Sequence, residues 1–339
     1  MALDDTANRK RAAPAAGSAD AAVTPPRNTQ LGILAVIGAG VAMMSTDACL
    51  RIAIPEIGLG EAIMGRGVLT CLILSLIALA QGVRWRHPGM RSPAMGVRIA
   101  GEVGAGMMFN AALQHMPIAN ASAILQFIPL VTTVAAAWLF AERVGWQRWL
   151  AAFAGFVGVL LILKPGTAGF TWWSLWAVAA MLCMSTRDLA TSRIDPTTPT
   201  LPIGAVSAAF AALSSLILLP FGPWPVPSLH AAGMVLAAAV LMSAGFVCLV
   251  VAMRSAEMSA LAPFRYCTIL WAIILGIAVW GEVPDALAIL GILIVVGAGL
   301  ASFMRERRLA RSRRLVSRFR SSPDLDARSG SELRNQKGH

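Results

Sequence analysis

Charged residues, cysteine and histidine are scarce in this sequence, and each shortage argues against a class of protein. Lys, Arg, Asp and Glu together make up 13% of the 339 residues, whereas 57% are hydrophobic and the mean hydropathy is +0.69. A water-soluble protein of this length could hardly stay in solution with so few charges. The composition therefore indicates an integral membrane protein.

The five cysteines and four histidines form no recognisable disulfide or metal pattern. The cysteines are odd in number and all lie in apolar segments, where such residues usually act as small hydrophobic side chains. They are Cys49, Cys71, Cys183, Cys248 and Cys267. The histidines are scattered along the chain, at His87, His115, His230 and His339. No metal and no cofactor is predicted.

Motifs of common enzymes are also missing. The chain has no GxxxxGK[ST] loop for ATP, no HExxH metalloprotease motif and no GxSxG hydrolase motif. An enzyme inside the membrane would need a nucleophile or metal ligands that converge on one point, and no such set is found. The sequence predicts a protein that is not an enzyme and has no ATPase of its own.

The net charge of +11 is concentrated near the C-terminus and in short loops. The arginines of the C-terminal region are Arg305, Arg307, Arg308, Arg311, Arg313, Arg314, Arg318 and Arg320. Such a run could bind nucleic acid, but Lys and Arg on the cytoplasmic side also set the topology of membrane proteins. The second interpretation is favoured, so no nucleic-acid partner is predicted.

Apolar runs of about 20 residues, the length that crosses a membrane as a helix, recur along the chain. They are continuous rather than alternating, which favours helices over the strands of a barrel. The predicted fold is an all-α integral membrane protein with ten transmembrane helices, at 31–50, 62–82, 94–113, 117–140, 145–163, 171–190, 200–220, 231–253, 259–280 and 284–304. Residues 1–30 are predicted to be a disordered cytoplasmic arm and residues 305–339 a disordered basic tail.

Alternate loops are rich in arginine, and this asymmetry predicts the orientation. Positive residues are frequent in the N-terminal arm, after the second and fourth spans, at the end of the sixth, after the eighth and in the tail. The intervening loops contain chiefly Arg51 and Lys164. Since loops rich in Lys and Arg stay inside, both termini are predicted to be cytoplasmic.

Two short matches at one offset indicate an internal duplication. The tripeptide MST at 44–46 recurs at 184–186, and Glu142 recurs as Glu282, in both cases 140 residues later. Each copy would contain five spans, an odd number, so the second copy would cross the membrane in the opposite direction. Inverted repeats are typical of secondary transporters, which hold their substrate between the halves. A duplication that only builds a larger bundle is the alternative.

Three longer strings resemble the EamA-type transporters of the drug/metabolite transporter superfamily. They begin at residues 116, 252 and 187 and read MPIANASAILQFIPLVTTVAAAWLFAERVGWQRW, AMRSAEMSALAPFRYCTILWAIILGIAVWGEVPD and RDLATSRIDP. A proline-containing helix, a run of small residues and a following Glu are typical of this family. The resemblance spans Leu31–Arg307. It implies two inverted five-helix repeats, at 31–165 and 171–304, in a multi-pass protein of the bacterial inner membrane.

The Pro-Phe-Arg-Tyr string further resembles a bacterial subgroup associated with amino acids, S-adenosylmethionine or riboflavin. Where that subgroup commonly has an acidic residue, this chain has Asn120. The resemblance implies secondary active transport of a small polar organic metabolite of one of these classes by alternating access. The partners would then be a small-molecule substrate and the lipid bilayer. A non-transporting membrane sensor or assembly factor is the alternative.

Polar residues inside the predicted spans are the candidate substrate-binding residues, because a charge in a membrane helix usually faces a cavity or a partner. Arg265 is predicted to bind an anionic group, with Tyr266 and Gln126, which are 140 residues apart, as orienting contacts. Snorkelling of Arg265 to the cytoplasmic surface is the alternative. Pro129 and Pro263 are predicted either to line a cavity or simply to kink their helices.

The second and third predicted helices add three candidates. Glu102 and Asn110 share one face of the third helix, and Arg66 on the second helix is the expected partner of Glu102. Glu102 is predicted either to accept a coupling proton or to form a structural ion pair with Arg66. Together with Arg265, Tyr266 and Gln126, these residues form the predicted substrate site.

Two charged pairs lie near the ends of predicted spans. Asp47 with Arg51, and Arg187 with Asp188, are predicted to be interfacial pairs or gates, with direct ligand contact as the alternative. Glycines are frequent in the first, third, fifth and tenth helices. Small residues let membrane helices approach closely, so they predict either packing within each repeat or a homodimer contact through the fifth and tenth helices.

Overall fold

The computed structural model describes residues 28–140, 146–164, 171–221, 225–255 and 261–320, and within these ranges all regular structure is helical. The α-helices are α1 (Thr29–Ile57), α2 (Leu59–Ala80), α3 (Pro93–Leu113), α4 (Ile118–Leu125), α5 (Ile128–Phe140), α6 (Trp146–Leu163), α7 (Trp172–Thr191), α8 (Thr200–Ser214), α9 (Leu229–Ser255), α10 (Cys267–Trp280) and α11 (Ala286–Arg320). Short 3₁₀ segments are present at Pro88–Arg91, Ser215–Phe221 and Ala262–Tyr266. The all-α prediction is confirmed for the described residues.

Seven helical segments of the described ranges are long and apolar enough to cross a membrane. They are Thr29–Ile57, Leu59–Ala80, Ile118–Ala135, Thr200–Leu218, Leu229–Ser255, Pro263–Trp280 and Ala286–Arg305, and Trp149–Leu163 is a shorter apolar helix. α3 and α7 are not among the seven, and each carries charged side chains along its length. The membrane class is confirmed, whereas the count of ten spans rests on the sequence.

The surfaces of α10 and α11 show how the bundle meets lipid. Leu270, Ile274 and Ile277 are exposed along α10, at a spacing that places them on one helical face, and Leu287, Leu290 and Leu293 are exposed on α11. Large apolar stripes of this kind are rare on the surface of water-soluble proteins. They are the lipid-facing sides expected of membrane helices.

Prolines break two of the predicted spans. The predicted helix 117–140 is split between α4 and α5, because Pro129 has no N–H to donate to the preceding turn and lies at the start of α5. Pro263 lies in the 3₁₀ segment that precedes α10. The regular helix is therefore interrupted at both prolines, as the kinking interpretation predicted, and both breaks fall beside predicted site residues.

Four helix pairs provide most of the contacts between elements of the bundle: α1 with α9, α3 with α7, α2 with α8, and α6 with α11. Smaller contacts join α2 to α9 and α4 to α10. The largest buried apolar cluster is built around α4 and includes side chains such as Phe109, Leu113, Ile124 and Val295. Polar residues of α1, α2, α3 and α7 are thereby held inside a scaffold of small and apolar side chains.

Glycines bring α6 and α11 into backbone contact. A Cβ built on Gly158 would lie 2.9 Å from the Gly291 carbonyl oxygen, and one on Gly291 would lie 2.6 Å from the Gly158 carbonyl oxygen. The fifth and tenth predicted spans therefore use these glycines to pack against each other inside one chain. The homodimer contact stays a prediction.

We expect Gly291→Ala to destabilise the protein although alanine is the better helix former. The added methyl group overlaps a carbonyl oxygen that cannot move alone, and overpacking of this kind typically costs about 1–3 kcal/mol. Gly297→Ala on the same helix is the matched control, because a Cβ there meets nothing within 4 Å. Thermal unfolding in detergent should show a lower melting temperature for the first variant only. Equal melting temperatures would contradict the close approach.

The helix α11 continues to Arg320, beyond the predicted end of the last span at residue 304. Part of the predicted tail is therefore helical. Residues 1–27 of the predicted arm, residues 321–339 of the tail and Glu142 lie outside the described residues.

Candidate functional site

Contacts between helix termini define two ends of the bundle. One, called here the Ile57 end, brings together the end of α1, the starts of α4 and α9 and the end of α10. The other, called the Thr29 end, joins the loop before α3 to the loop before α8, where His87 contacts Thr197 and Thr198. Under the predicted orientation the Ile57 end faces away from the cytoplasm.

Three charged side chains of α1, α2 and α3 lie inside the bundle. Arg66 of α2 is only 7% exposed, and both Asp47 of α1 and Glu102 of α3 interact with it electrostatically. A Cβ built on Gly106 would lie 3.9 Å from the Arg66 Nη2 atom, so the guanidinium rests against α3 where that helix has no side chain. Arg66 is about 10 Å along α2 from its start, well inside the membrane.

Unpaired polar atoms surround this arginine. Asn110 donates from Nδ2 to the Gly106 carbonyl at 2.8 Å, but its buried Oδ1 accepts no hydrogen bond from a described residue. The buried Thr70 hydroxyl, one turn after Arg66 on α2, has no hydrogen-bond partner among the described residues either. Buried polar atoms are nearly always paired, so this group needs an explanation.

A second charged group joins α3 to α7. Glu102 lies 3.3 Å from Arg187 Nη1 and 3.7 Å from Arg98 Nη2, and Arg187 also bonds Asp188 Oδ1 at 2.8 and 3.0 Å. The expectation that Arg66 is the ion-pair partner of Glu102 was therefore wrong. The reason is Gly101, where a Cβ would lie 2.8 Å from the Cys183 carbonyl oxygen. This close approach of α7 places Arg187 beside α3.

Arg51 and Glu282 form the main charged contact at the Ile57 end. The Arg51 guanidinium donates both Nη atoms to the Glu282 carboxylate, at 2.6 and 3.0 Å, and lies over the Trp280 ring at 4.5 Å. The same carboxylate accepts the Ile118 backbone N–H at 3.2 Å, which caps the start of α4. The predicted Asp47–Arg51 pair was wrong, because Arg51 turns away from its own helix towards α10. The predicted Arg187–Asp188 contact is present.

A further ion pair at this end joins Lys164 to Asp285. The hydrogen bond from Lys164 and another from the Ala288 N–H hold the pKa of Asp285 below its ordinary value. A carboxyl group with a lowered pKa stabilises the folded state at neutral pH, and that contribution is lost as the pH falls through the folded pKa. The Asp285 side chain is exposed and that of Lys164 is half-buried, and the pair ties the end of α6 to the start of α11.

The remaining predicted site residues form a separate group at the two proline breaks. Gln126 donates from Nε2 to the Arg265 carbonyl oxygen at 3.3 Å, whereas the Arg265 side chain is exposed. The Tyr266 hydroxyl points to α11, where it occupies the space that a side chain at Gly299 would need. The structure thus brings Gln126 and Arg265 together, but it shows no contact between these side chains and Arg66 among the described residues.

A groove of about 590 Å³ lies between α6 and α11, and no predicted site residue lines it. Its walls are almost entirely apolar, with Leu150, Ala154 and Ile294 among them and Arg305 at its edge. Among the described residues no group of three or more His, Cys, Asp or Glu could hold a metal ion. The polar chemistry of the described chain is instead concentrated on α1, α2, α3 and α7.

Sequence reasoning missed the roles of Arg98, Arg51 and Trp271. Arg98 is not among the site residues predicted from the sequence, yet it is buried, pairs with Glu102 and donates to Ser207 Oγ at 2.6 Å. Its i,i+4 spacing from Glu102 inside a predicted span was an available signal. The Trp271 indole donates to Ser45 Oγ at 3.0 Å, a contact for which the sequence contains no signal.

Several proteins that are similar in sequence to this chain carry the same name. Proteins named S-adenosylmethionine uptake transporter are 28% identical over 197 residues in Rickettsia felis (strain ATCC VR-1525 / URRWXCal2), 27% over 199 in Rickettsia bellii (strain RML369-C) and 25% over 196 in Rickettsia prowazekii (strain Madrid E). The matches cover 57%, 58% and 57% of this chain and 65%, 67% and 65% of those proteins. This chain therefore matches about two thirds of the length of these relatives.

A solved crystal structure and a family model complete the comparison. The crystal structure is 21% identical to this chain, with a TM-score of 0.58 over 81% of this chain and 97% of its own, and shows a shared fold. The model of the EamA-like transporter family matches twice, at residues 30–164 and 171–304. These two matches cover most of the sequence. The chain belongs to the EamA-like transporter family, within the drug/metabolite transporter superfamily.

Proposed function

We propose that this protein is a secondary active transporter that moves a small polar organic metabolite across the bacterial inner membrane by alternating access. The observation that carries the proposal is the set of charges inside the bundle on α1, α2 and α3, where Arg66 and Arg98 are buried and Asp47 and Glu102 are half-buried, in a family of transporters. Charges inside membrane helices usually mark a substrate or ion pathway. The orientation expected from the loops would place both termini in the cytoplasm.

The packing pattern supports ten spans arranged as two inverted repeats. With α4 and α5 counted as one span, α1 becomes equivalent to α7, and α3 becomes equivalent to α9. Replacing each helix by its equivalent in the other half converts the α1–α9 contact into the α7–α3 contact. These two contacts are the most extensive among the described residues. It maps the α2–α8, α6–α11 and α4–α10 pairs onto themselves. Such pairing is what a pseudo-twofold axis between the halves requires.

S-adenosylmethionine is the first substrate to test, because the relatives from Rickettsia are named for its uptake. Amino acids and riboflavin remain the other candidate classes. The choice of S-adenosylmethionine as the first substrate makes no assumption about partner proteins, the coupling ion or the direction of transport.

Purified protein in liposomes should take up labelled S-adenosylmethionine, an amino acid or riboflavin faster than protein-free liposomes. Exchange against the same unlabelled solute loaded inside should accelerate uptake, as a carrier with alternating access requires. Heat-inactivated protein is the control for leakage. If none of these solutes crosses the bilayer and none raises the melting temperature, the transport proposal is contradicted.

A further inference from the structure

Several polar side chains of α1, α2 and α3 carry atoms that are not paired with any described residue, among them Asp47, Arg66, Thr70 and Asn110. Asp47 and Arg66 form neither an ion pair nor a hydrogen bond within the described chain, although they interact electrostatically. The Asn110 Oδ1 and Thr70 Oγ1 atoms are buried without a hydrogen-bond partner there, and their side chains are each only 2% exposed. Unpaired groups in apolar surroundings are costly, so such a cluster suits a polar solute.

Backbone geometry places Arg66, Thr70 and Asn110 near one another, and Asp47 interacts electrostatically with Arg66. Arg66 and Thr70 are four residues apart and therefore share a face of α2. The Arg66 guanidinium lies beside Gly106, and Asn110 is anchored to the carbonyl of the same glycine. Asp47 lies about 15 Å along α1 from Ile57, close to the middle of a membrane about 30 Å thick. Because Gly106 has no side chain, the Arg66 guanidinium can lie between α2 and α3.

Neighbouring charges leave Arg66 available to a ligand. Glu102 also interacts with Arg66, but its carboxylate is paired with Arg98 and Arg187. Arg187 is itself shared with Asp188. This second cluster has two positive and two negative charges and is neutral by itself. Asp47 and Arg66 form a separate neutral set whose members are not in direct contact.

We propose that Asp47, Arg66, Thr70 and Asn110 form a binding site for the zwitterionic head group of an α-amino acid. The solute carboxylate accepts hydrogen bonds from the Arg66 guanidinium and the Thr70 hydroxyl. Its ammonium group donates to the Asp47 carboxylate and to Asn110 Oδ1. A zwitterion adds no net charge to the membrane interior, whereas a simple anion or cation leaves one protein charge unmatched. The inference rests on the transport function proposed above and specifies its substrate class.

Binding of matched solutes to the purified full-length chain tests the site. S-adenosylmethionine, S-adenosylhomocysteine and methionine have the head group, whereas 5′-methylthioadenosine, the amine obtained by decarboxylating methionine, and riboflavin lack it. We expect at least one solute of the first set to bind about tenfold or more tightly than its headless counterpart, as loss of one charge-assisted hydrogen bond predicts. S-adenosylhomocysteine and 5′-methylthioadenosine share the adenosine part and an uncharged thioether sulfur, so this pair isolates the head group.

Variants then assign the head group to these residues. Arg66→Gln and Asp47→Asn each leave one buried charge unmatched and can fail to fold, so the double neutral variant Asp47→Asn with Arg66→Gln is the main test. It should fold, lose the preference for the head group and keep the weak binding of the headless solute. Asn110→Leu should weaken binding about fivefold or more without changing any charge. Arg86→Gln in the exposed loop after α2 is the control.

The outcomes separate this site from the transport function. If solutes cross the bilayer but the head group makes no difference, or the double variant keeps its preference, the site is wrong and transport stands. If riboflavin is transported and the other solutes are not, the site is likewise wrong and the transport function stands. If no solute binds or moves, the transport function fails and this site fails with it. Head-group preference that disappears in the double variant and survives in Arg86→Gln establishes the site.

Discussion

Glu102→Gln should lower the stability of the protein more than any other single neutralisation in α3 or α7. The change leaves Arg98 and Arg187 facing each other in the membrane without the carboxylate that lies 3.7 and 3.3 Å from them. Removal of one partner from a buried ion pair typically costs about 3–5 kcal/mol, because the remaining charge is uncompensated. Asp188 still pairs with Arg187, so one positive charge of the cluster is left uncompensated. The melting temperature in detergent should therefore fall by several degrees or the protein should not be recovered.

Two carboxyl variants make the comparison specific. Glu61→Gln changes the same residue type in α2, where Glu61 Oε2 has no hydrogen-bond partner among the described residues, and should leave the melting temperature nearly unchanged. Asp188→Asn should have an intermediate effect, because Arg187 keeps Glu102 as a partner. A Glu102→Gln variant as stable as the wild type would show that the arginines are solvated and that the cluster does not hold α3 to α7.

Arg51→Gln and Glu282→Gln should both open the Ile57 end of the bundle. Either change removes the paired hydrogen bonds between α1 and α10, and the second also removes the acceptor for the Ile118 N–H. The rate at which a membrane-impermeant thiol reagent labels Cys49, as the only remaining cysteine, should rise several-fold in both variants. Cys49 suits this measurement because it is partly buried and lies two residues before Arg51.

Charge reversal tests whether the pair itself closes this end. In the Arg51→Glu variant alone, Cys49 should be labelled fast. When Arg51→Glu is combined with Glu282→Arg, labelling of Cys49 should become partly slow again, because the ion pair is restored but the cap of α4 is not. Glu56→Gln is the matched control, because Glu56 lies at the same end and accepts from Ser228, whose N–H is 2.8 Å away, rather than from Arg51. Unchanged labelling in every variant would contradict a closing role for Arg51 and Glu282.

The helical fold was accessible from the sequence because hydropathy and span length are local properties. The breaks in the spans were less accessible. Pro129 signalled a disturbance, but whether a proline kinks a helix or ends it depends on which neighbours can bond the freed carbonyl. The structure ends α4 at Leu125 and starts α5 at Ile128. Only the packing of α4 against α10 decides between these outcomes.

Site residues could be selected from the sequence, but their partners could not. A charge inside an apolar run is visible locally, and Arg66, Glu102, Asn110 and Asp47 were all selected in this way. The partner of Glu102 depends on the register of α3 against α7, which is fixed by the contact at Gly101. Likewise, the i,i+4 spacing of Asp47 and Arg51 allows an ion pair between them, but Arg51 instead donates two hydrogen bonds to Glu282.

The charges inside the bundle have a consequence for the electrical behaviour of the protein. Arg66, Arg98 and Arg187 are three positive groups, and Asp47, Glu102 and Asp188 are three negative groups, so together they sum to zero. A unit charge moved across the full membrane potential changes its energy by about 2.3 kcal/mol per 100 mV. A neutral set of charges that moves along the field as one unit does no such work. Any current during transport would then be carried by the solute and its coupling ion, and the voltage dependence would report their charge.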